Sequence, residues 1–147
     1  MFETGTDPNL SIRIACWRTD NAALRRIREQ VFIAEQGVTP ELEWDGEDSS
    51  AVHFLALDDN WPIGTARLSP DGHISRVCLL KDWRGLGVGE QLLQVVIAEA
   101  ERRGLKQQRL SAQVQAAAFY QKQGFVISSS EFLDAGIAHV DMLRQSL

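Results

Sequence analysis

Apolar and polar positions alternate along Ile12-Arg13-Ile14-Ala15-Cys16-Trp17, the period-two pattern of a half-buried strand. The period then changes. Leu24, Ile27, Val31 and Ile33 form a partial 3.6-residue stripe, with Thr19 or Asp20 placed to cap a helix and Gly37 to end it. Two apolar runs, Val52–Leu57 and Ile63–Leu68, flank Asp58-Asp59-Asn60 and predict a hairpin. A further strand, Ile74–Leu79, follows the turn at Asp71-Gly72. Leu92, Leu93, Val96, Ile97 and Ala100 then line one side of a helix predicted over Glu90–Arg103, which Gly104 ends. Arg109–Val114 reads as a strand, and Ala116–Gln123 as a short helix with Gly124 as its left-handed cap. Two last strands are predicted at Phe125–Ser130 and Ala138–Leu143, across a loop at Asp134-Ala135-Gly136. Such an order predicts an α/β (α+β) fold, a mixed sheet with helices on its faces. One domain over 1–147 is expected, with residues 1–10 as a flexible extension.

Composition narrows the function. A net charge of −5 over 147 residues argues against nucleic acid as a main partner, since phosphate contacts need clustered Lys and Arg. The polar, acidic start Met1–Pro8 reads as neither signal peptide nor anchor, and no apolar run approaches membrane-spanning length. Cys16 and Cys78 form neither a metal spacing nor a disulfide framework, so both are expected as small buried hydrophobes in a reducing cytoplasm. His53, His73 and His139 make no ligand motif, and no metal is implied.

The chemistry concentrates at Arg84-Gly85-Leu86-Gly87-Val88-Gly89, between a strand and a helix. Backbone N–H groups at a helix N-terminus, with glycines that allow close approach, seat a phosphate. The dinucleotide fingerprint fails, because the sixth position counted from Gly85 is Glu90. A P-loop fails too, for want of Gly-Lys-Ser/Thr. What remains is Arg-x-x-Gly-x-Gly, which resembles the acetyl-CoA signature of the GCN5-related N-acetyltransferases (GNAT). A second stretch, Gln113-(x)3-Ala117-Ala118-Phe119-Tyr120-(x)3-Gly124-Phe125, resembles the closing signature of that family, with Gln113 where Asn is usual. Val31–Gln36, Leu110–Gln113 and Gly136–Met142 are similar to the ElaA/YjcF-like subgroup.

The resemblance implies acetyl-CoA as cosubstrate and direct transfer of an acetyl group to a primary amine, on a small molecule or a peptide. It implies that Arg84 and the backbone of Gly85, Leu86, Gly87, Val88 and Gly89 hold the pyrophosphate. Val77, Cys78 and Leu79 would pair their backbone with the pantetheine arm, joined by Gln113, and the Leu79 amide would be the oxyanion donor. Tyr120, the sole tyrosine, would protonate the departing thiolate and touch the cofactor. Similar proteins often dimerise. A CoA-binding sensor without catalysis is the alternative from another class.

The base is open among Glu35, near the end of the first helix, His139 in the last hairpin and His53 on the second strand. An amine delivered neutral needs none. Cys78 offers a covalent route if a cation flanks it, and Arg76 shares its face under simple alternation. Finally, Glu41–Asp48 holds five carboxylates. It reads either as a solvated loop or as a landing site for a cationic acceptor, with Glu43 and Asp45 as charges and Trp44 as a cation–π face.

Overall fold

The computed structural model describes residues 9–147; the expected extension lies mostly outside them, and the first strand already begins at Leu10. Strand β1 (Leu10–Ala15) pairs antiparallel with β2 (Val52–Asp58), β2 with β3 (Trp61–Leu68), and β3 with β4 (Ile74–Leu79). Strand β5 (Gln107–Gln113) pairs with β8 (Ile137–Gln145), which also carries β6 (Val126–Ile127) and β7 (Phe132–Asp134). The last segment thus holds three strands rather than two. Asp59 and Asn60 turn β2 into β3 with φ of 50° and 67°, and Ala135 and Gly136 turn β7 into β8 with 51° and 77°. Paired left-handed residues are what a two-residue hairpin needs to match strand twist.

Helices cover both faces of the first sheet. Helix α1 (Trp17–Arg28) buries Leu24 and Ile27 against Leu55, Leu57 and Cys78. Helix α3 (Val88–Arg102) buries Leu92, Leu93, Val96 and Ala100 against Phe54, Leu68 and Ile74, and against Leu110, Val140 and Met142 of the second sheet. Helices α2 (Pro40–Glu43) and α4 (Ala117–Gln121) are single short turns. Helix α1 starts at Trp17, earlier than the expected caps, because Asp20 accepts the Cys16 amide at 2.9 Å from inside the helix. Cys16 is exposed there rather than buried, and its hydrogen bonds to Thr19 hold the thiol below its ordinary pKa. Beyond Arg28 the helix continues as a π-helical turn, Glu29–Glu35.

The two sheets meet at one place. β4 and β5 run parallel and touch at the His73–Arg109 bridge, then diverge. Each is the end strand of its own sheet, so a wedge opens between their facing edges.

Candidate active site

The wedge is shaped by a bulge in β4. Thr65 stands opposite Cys78 but Arg67 opposite Ser75, so two steps on β3 match three on β4. Arg76 absorbs the extra residue with φ of 55°, a conformation that costs a non-glycine residue about 1–3 kcal/mol. Strict alternation fails here, and Ile74 and Val77 both turn toward the core beneath α3. Gly64 lets the end of β4 lie close: a Cβ there would stand 2.5 Å from Leu79 Cδ2 and 3.1 Å from the Cys78 carbonyl. Cys78 is buried against Thr65 Oγ1 at 3.3 Å, and burial pushes its thiol up to about 12. A protonated, enclosed thiol is no nucleophile, which removes the covalent route.

Past Leu79 the chain makes a 3₁₀ turn (Lys81–Trp83) and enters the glycine segment. Gly85 and Gly87 both adopt left-handed φ, 78° and 83°, and Gly87 caps α3. The helix therefore begins at Val88, two residues before the expected Glu90. Gln91 is bonded back to Gly87 O at 3.2 Å, so the amides of Val88, Gly89 and Glu90 precede the helical ladder. Added to the positive end of a 15-residue helix, they form a seat for an anion. Gly89 is closely faced, since a Cβ there would meet Phe119 at 3.5 Å and Leu79 at 3.6 Å. Leu86 is exposed.

Arg84 lies beside this turn and is already engaged. Its Nη atoms donate to both oxygens of Glu35 at 3.0 and 2.7 Å, and its Nε donates to the Leu79 carbonyl at 3.0 Å. The Arg84 hydrogen bonds hold the Glu35 carboxyl below the usual range. Such a carboxylate is a poor base, so the structure makes Glu35 an anchor for Arg84. The neighbouring Gln36 reaches the other sheet, accepting from Gln113 Nε2 at 3.0 Å, while Gln115 donates to Gln113 at 2.6 Å. The end of the π-helical turn thus straps both sides of the wedge.

Under the strap lies a cavity of about 310 Å³ between β4, β5, the α1–α2 segment and the β7–β8 hairpin. Tyr120, His139 and Gln113 all line it, joined by Val77. Tyr120 packs edge-on against Phe119 and Phe125, and burial raises its phenol to about 12. The proton therefore stays on the phenol at neutral pH. His139 stacks on Phe132, and its Nδ1 lies 2.6 Å from the Ile137 carbonyl. A carbonyl only accepts, so Nδ1 carries a proton, and the lone pair of the neutral ring lies on Nε2. His53, by contrast, is buried away from the cavity lining against Trp17 and donates from Nε2 to Asp48 O at 2.8 Å. Burial lowers its pKa, and its place is structural.

The acidic segment is neither a solvated loop nor a free landing site. Arg28 pairs with Glu43 and Asp48, Arg67 with Asp48 and Asp45, and Arg76 with Asp45 and Glu43. The six charges close into an alternating ring. It fastens the α2 segment to α1, β3 and β4. Trp44 already receives two guanidinium groups, Arg25 at 4.7 Å and Arg28 at 5.0 Å from its ring centre. Glu43 is buried yet borders the cavity, and desolvation raises its pKa; Asp45 is held down to about 2, because its desolvation is outweighed only by the hydrogen bonds from Arg67 and the Glu47 amide together with the charges of Arg67 and Arg76. Sequence reading missed the ring's cations. Their signal was an arginine beside the apolar stripe at 28, and another inside the apolar run at 67.

Comparison with known proteins agrees with this architecture. The acetyltransferase (GNAT) domain family matches residues 20–145. YjcF of Bacillus subtilis (strain 168), an uncharacterized N-acetyltransferase, is 38% identical over 122 residues, covering 80% of this chain and 87% of its own. An acyl-CoA N-acyltransferase structure from Pseudomonas aeruginosa superposes with a TM-score of 0.81 at 31% identity, covering 91% of this chain and 99% of that one. Escherichia coli ElaA gives 0.83 at 26%, covering 92% and 99%. With the wedge, the glycine-capped helix and these relatives together, the chain belongs to the GNAT acetyltransferase family and is an acyltransferase.

Proposed function

We propose that this protein transfers an acetyl group directly from acetyl-CoA to a primary amine. One observation carries the reading: the wedge between β4 and β5 opens beside an unladdered helix N-terminus and onto a cavity lined by both the phenol of Tyr120 and an imidazole, His139, oriented through Nδ1. The fit to the coenzyme rests on the donors present. Amides of Gly87, Val88 and Gly89 suit the pyrophosphate, with Gly85 and Leu86 shaping the turn and Arg84 beside it. The edges of Val77, Cys78 and Leu79 suit an extended amide-bearing arm, added like a strand, and Gln113 offers a side-chain amide opposite.

Acetyl-CoA supplies an activated thioester carbonyl. His139 Nε2 takes the proton that the amine nitrogen sheds as its bond to the carbonyl carbon forms. The Leu79 amide donates to the carbonyl oxygen as that oxygen gains charge. Tyr120 gives its proton to sulfur as the carbon–sulfur bond breaks, and bulk water restores it. Glu35 holds Arg84, and Glu43, Asp45 and Trp44 hold the acceptor wall from behind. Among the described residues no helix is long and apolar enough to cross a membrane. Both cysteines are free, in keeping with a reducing cytoplasm.

Acetyl-CoA and desulfo-CoA titrations by calorimetry, with Gly87→Glu as control, test the turn. Binding by the wild type that the variant loses is the expected result. Thiol release with an amine panel then tests the chemistry; CoA bound without turnover on any amine would favour a sensor.

A further inference from the structure

Arg76 is unusual among the ring's cations because two of its nitrogens make no hydrogen bond among the described residues. Its Nη2 donates toward Leu42 O, Glu43 O and Asp45 Oδ2 at 3.2, 3.0 and 3.2 Å. Its Nε is buried and faces Glu43 Oε1 at 3.2 Å without hydrogen-bond alignment. Nη1, with two protons, has no acceptor among the described residues, and Arg76 borders the cavity. The guanidinium is thus immobilised on one side and open on the other. The bulge that carries it places it immediately before Val77, on the strand proposed to receive the thioester.

Of the two carboxylates that border the cavity, only the exposed Asp134 has this freedom, and it stands in water at the rim. Glu43 Oε2 takes Arg28 at 2.6 Å and Oε1 faces Arg76, leaving its charge matched. Asp134 borders the cavity from the exposed β7–β8 hairpin. Away from that rim, the committed charge is balanced and the uncommitted donor is cationic. Arginine held flat and partly desolvated recognises a carboxylate through charge-assisted hydrogen bonds.

Building on the N-acetyltransferase reading, we infer that the acceptor is a small amine bearing a carboxylate, an amino acid in the broad sense, whose anionic end docks on Arg76 Nη1 while its nitrogen reaches the His139 side of the cavity. Arg76 is then a specificity-determining residue for the acceptor, and an acceptor lacking the anion leaves the open face of the guanidinium without a charged partner.

Calorimetric titration of the full chain saturated with CoA tests this with two matched pairs. β-Alanine is compared with propylamine, and 4-aminobutyrate with butylamine, with 1,4-diaminobutane as the dicationic probe. Each amino acid is expected to bind at least ~10-fold tighter than its partner, a gap of about 1.4 kcal/mol. Arg76→Gln should erase that ratio while CoA affinity stays within about twofold. Because this variant opens the ring and can fail to fold, the wild-type ratios decide on their own. Equal binding within each pair, preference for the diamine, or no binding of either amino acid would overturn the subsite. The saturation step separates the two readings. A folded wild type that takes up no CoA sinks the acetyltransferase reading itself, whereas one that binds CoA and ignores the carboxylate sinks only the subsite.

Discussion

Tyr120 keeps its proton because its ring is packed between Phe119 and Phe125 and its hydroxyl belongs to a cavity rather than to bulk water. The proton is therefore available at neutral pH for a leaving thiolate. Tyr120→Phe is expected to lower kcat by about 100-fold or more, the ordinary scale for a lost general acid, with acetyl-CoA affinity unchanged by calorimetry. His139→Gln should cost roughly 10- to 100-fold in kcat/KM. That loss should shrink as the assay pH is raised toward the acceptor's own pKa, where solvent deprotonates the amine. A pH-independent loss would make His139 a packing residue. Both were candidates on sequence alone, Tyr120 through the family resemblance of its Phe-Tyr-(x)3-Gly-Phe pattern and His139 through its place in the last hairpin, and both line the cavity. Glu35 looked equally suitable there. Only its distance to Arg84, 49 residues away in the chain, reveals that its charge is already matched.

At the scale of elements, the glycine turn and the π-helical turn face each other across the wedge. Gly87 caps α3 in the left-handed region, so Gly87→Ala should destabilise the fold by about 1–2 kcal/mol in chemical denaturation and weaken acetyl-CoA binding besides. In the proposed complex Glu35 would compete with the pyrophosphate for Arg84, its present partner. Exposed ion pairs are worth about 0.2–1 kcal/mol, so Glu35→Gln should tighten acetyl-CoA by at most about fivefold, an effect that fades in high salt. Weaker binding would show that Glu35 orients Arg84 rather than competing for it. Helix α3 was readable because its apolar stripe is long and glycines bracket it. The π-helical turn was not, since its wider winding blurs a 3.6-residue period after Val31. Arg76 was misread for a related reason, a bulge that no two-residue alternation can announce. Strand β6 was expected within Phe125–Ser130 but is only two residues long, and β7 escaped because three residues are too few to show a period.

Across the described residues, two antiparallel sheets joined at one bridge leave the centre of the protein unfinished, and a ring of six charges holds the α2 segment against it. Opening the ring at Arg67, which is buried, should cost about 3–5 kcal/mol, so Arg67→Met is expected to lower the thermal midpoint far more than an exposed arginine change such as Arg102→Met. Acid should act on the same structure. Asp45 sits at about 2, below its ordinary 3.8, so its stabilisation is whole above pH about 4 and disappears as pH falls through 2. Between those values the wild type should lose more of its thermal stability than Asp45→Asn does. The domain outline came from local patterns, whereas the ring joins positions 28 to 76 across four elements and could only be assembled in space. Its closure also has a consequence for descent. Every member has two opposite neighbours, so a single replacement leaves two charges with one partner each and the ring one charge out of balance, while joint loss of an adjacent acid and base restores the tally. Sequences related to this one should therefore change positions 28, 43, 45, 48, 67 and 76 in concert or leave them alone.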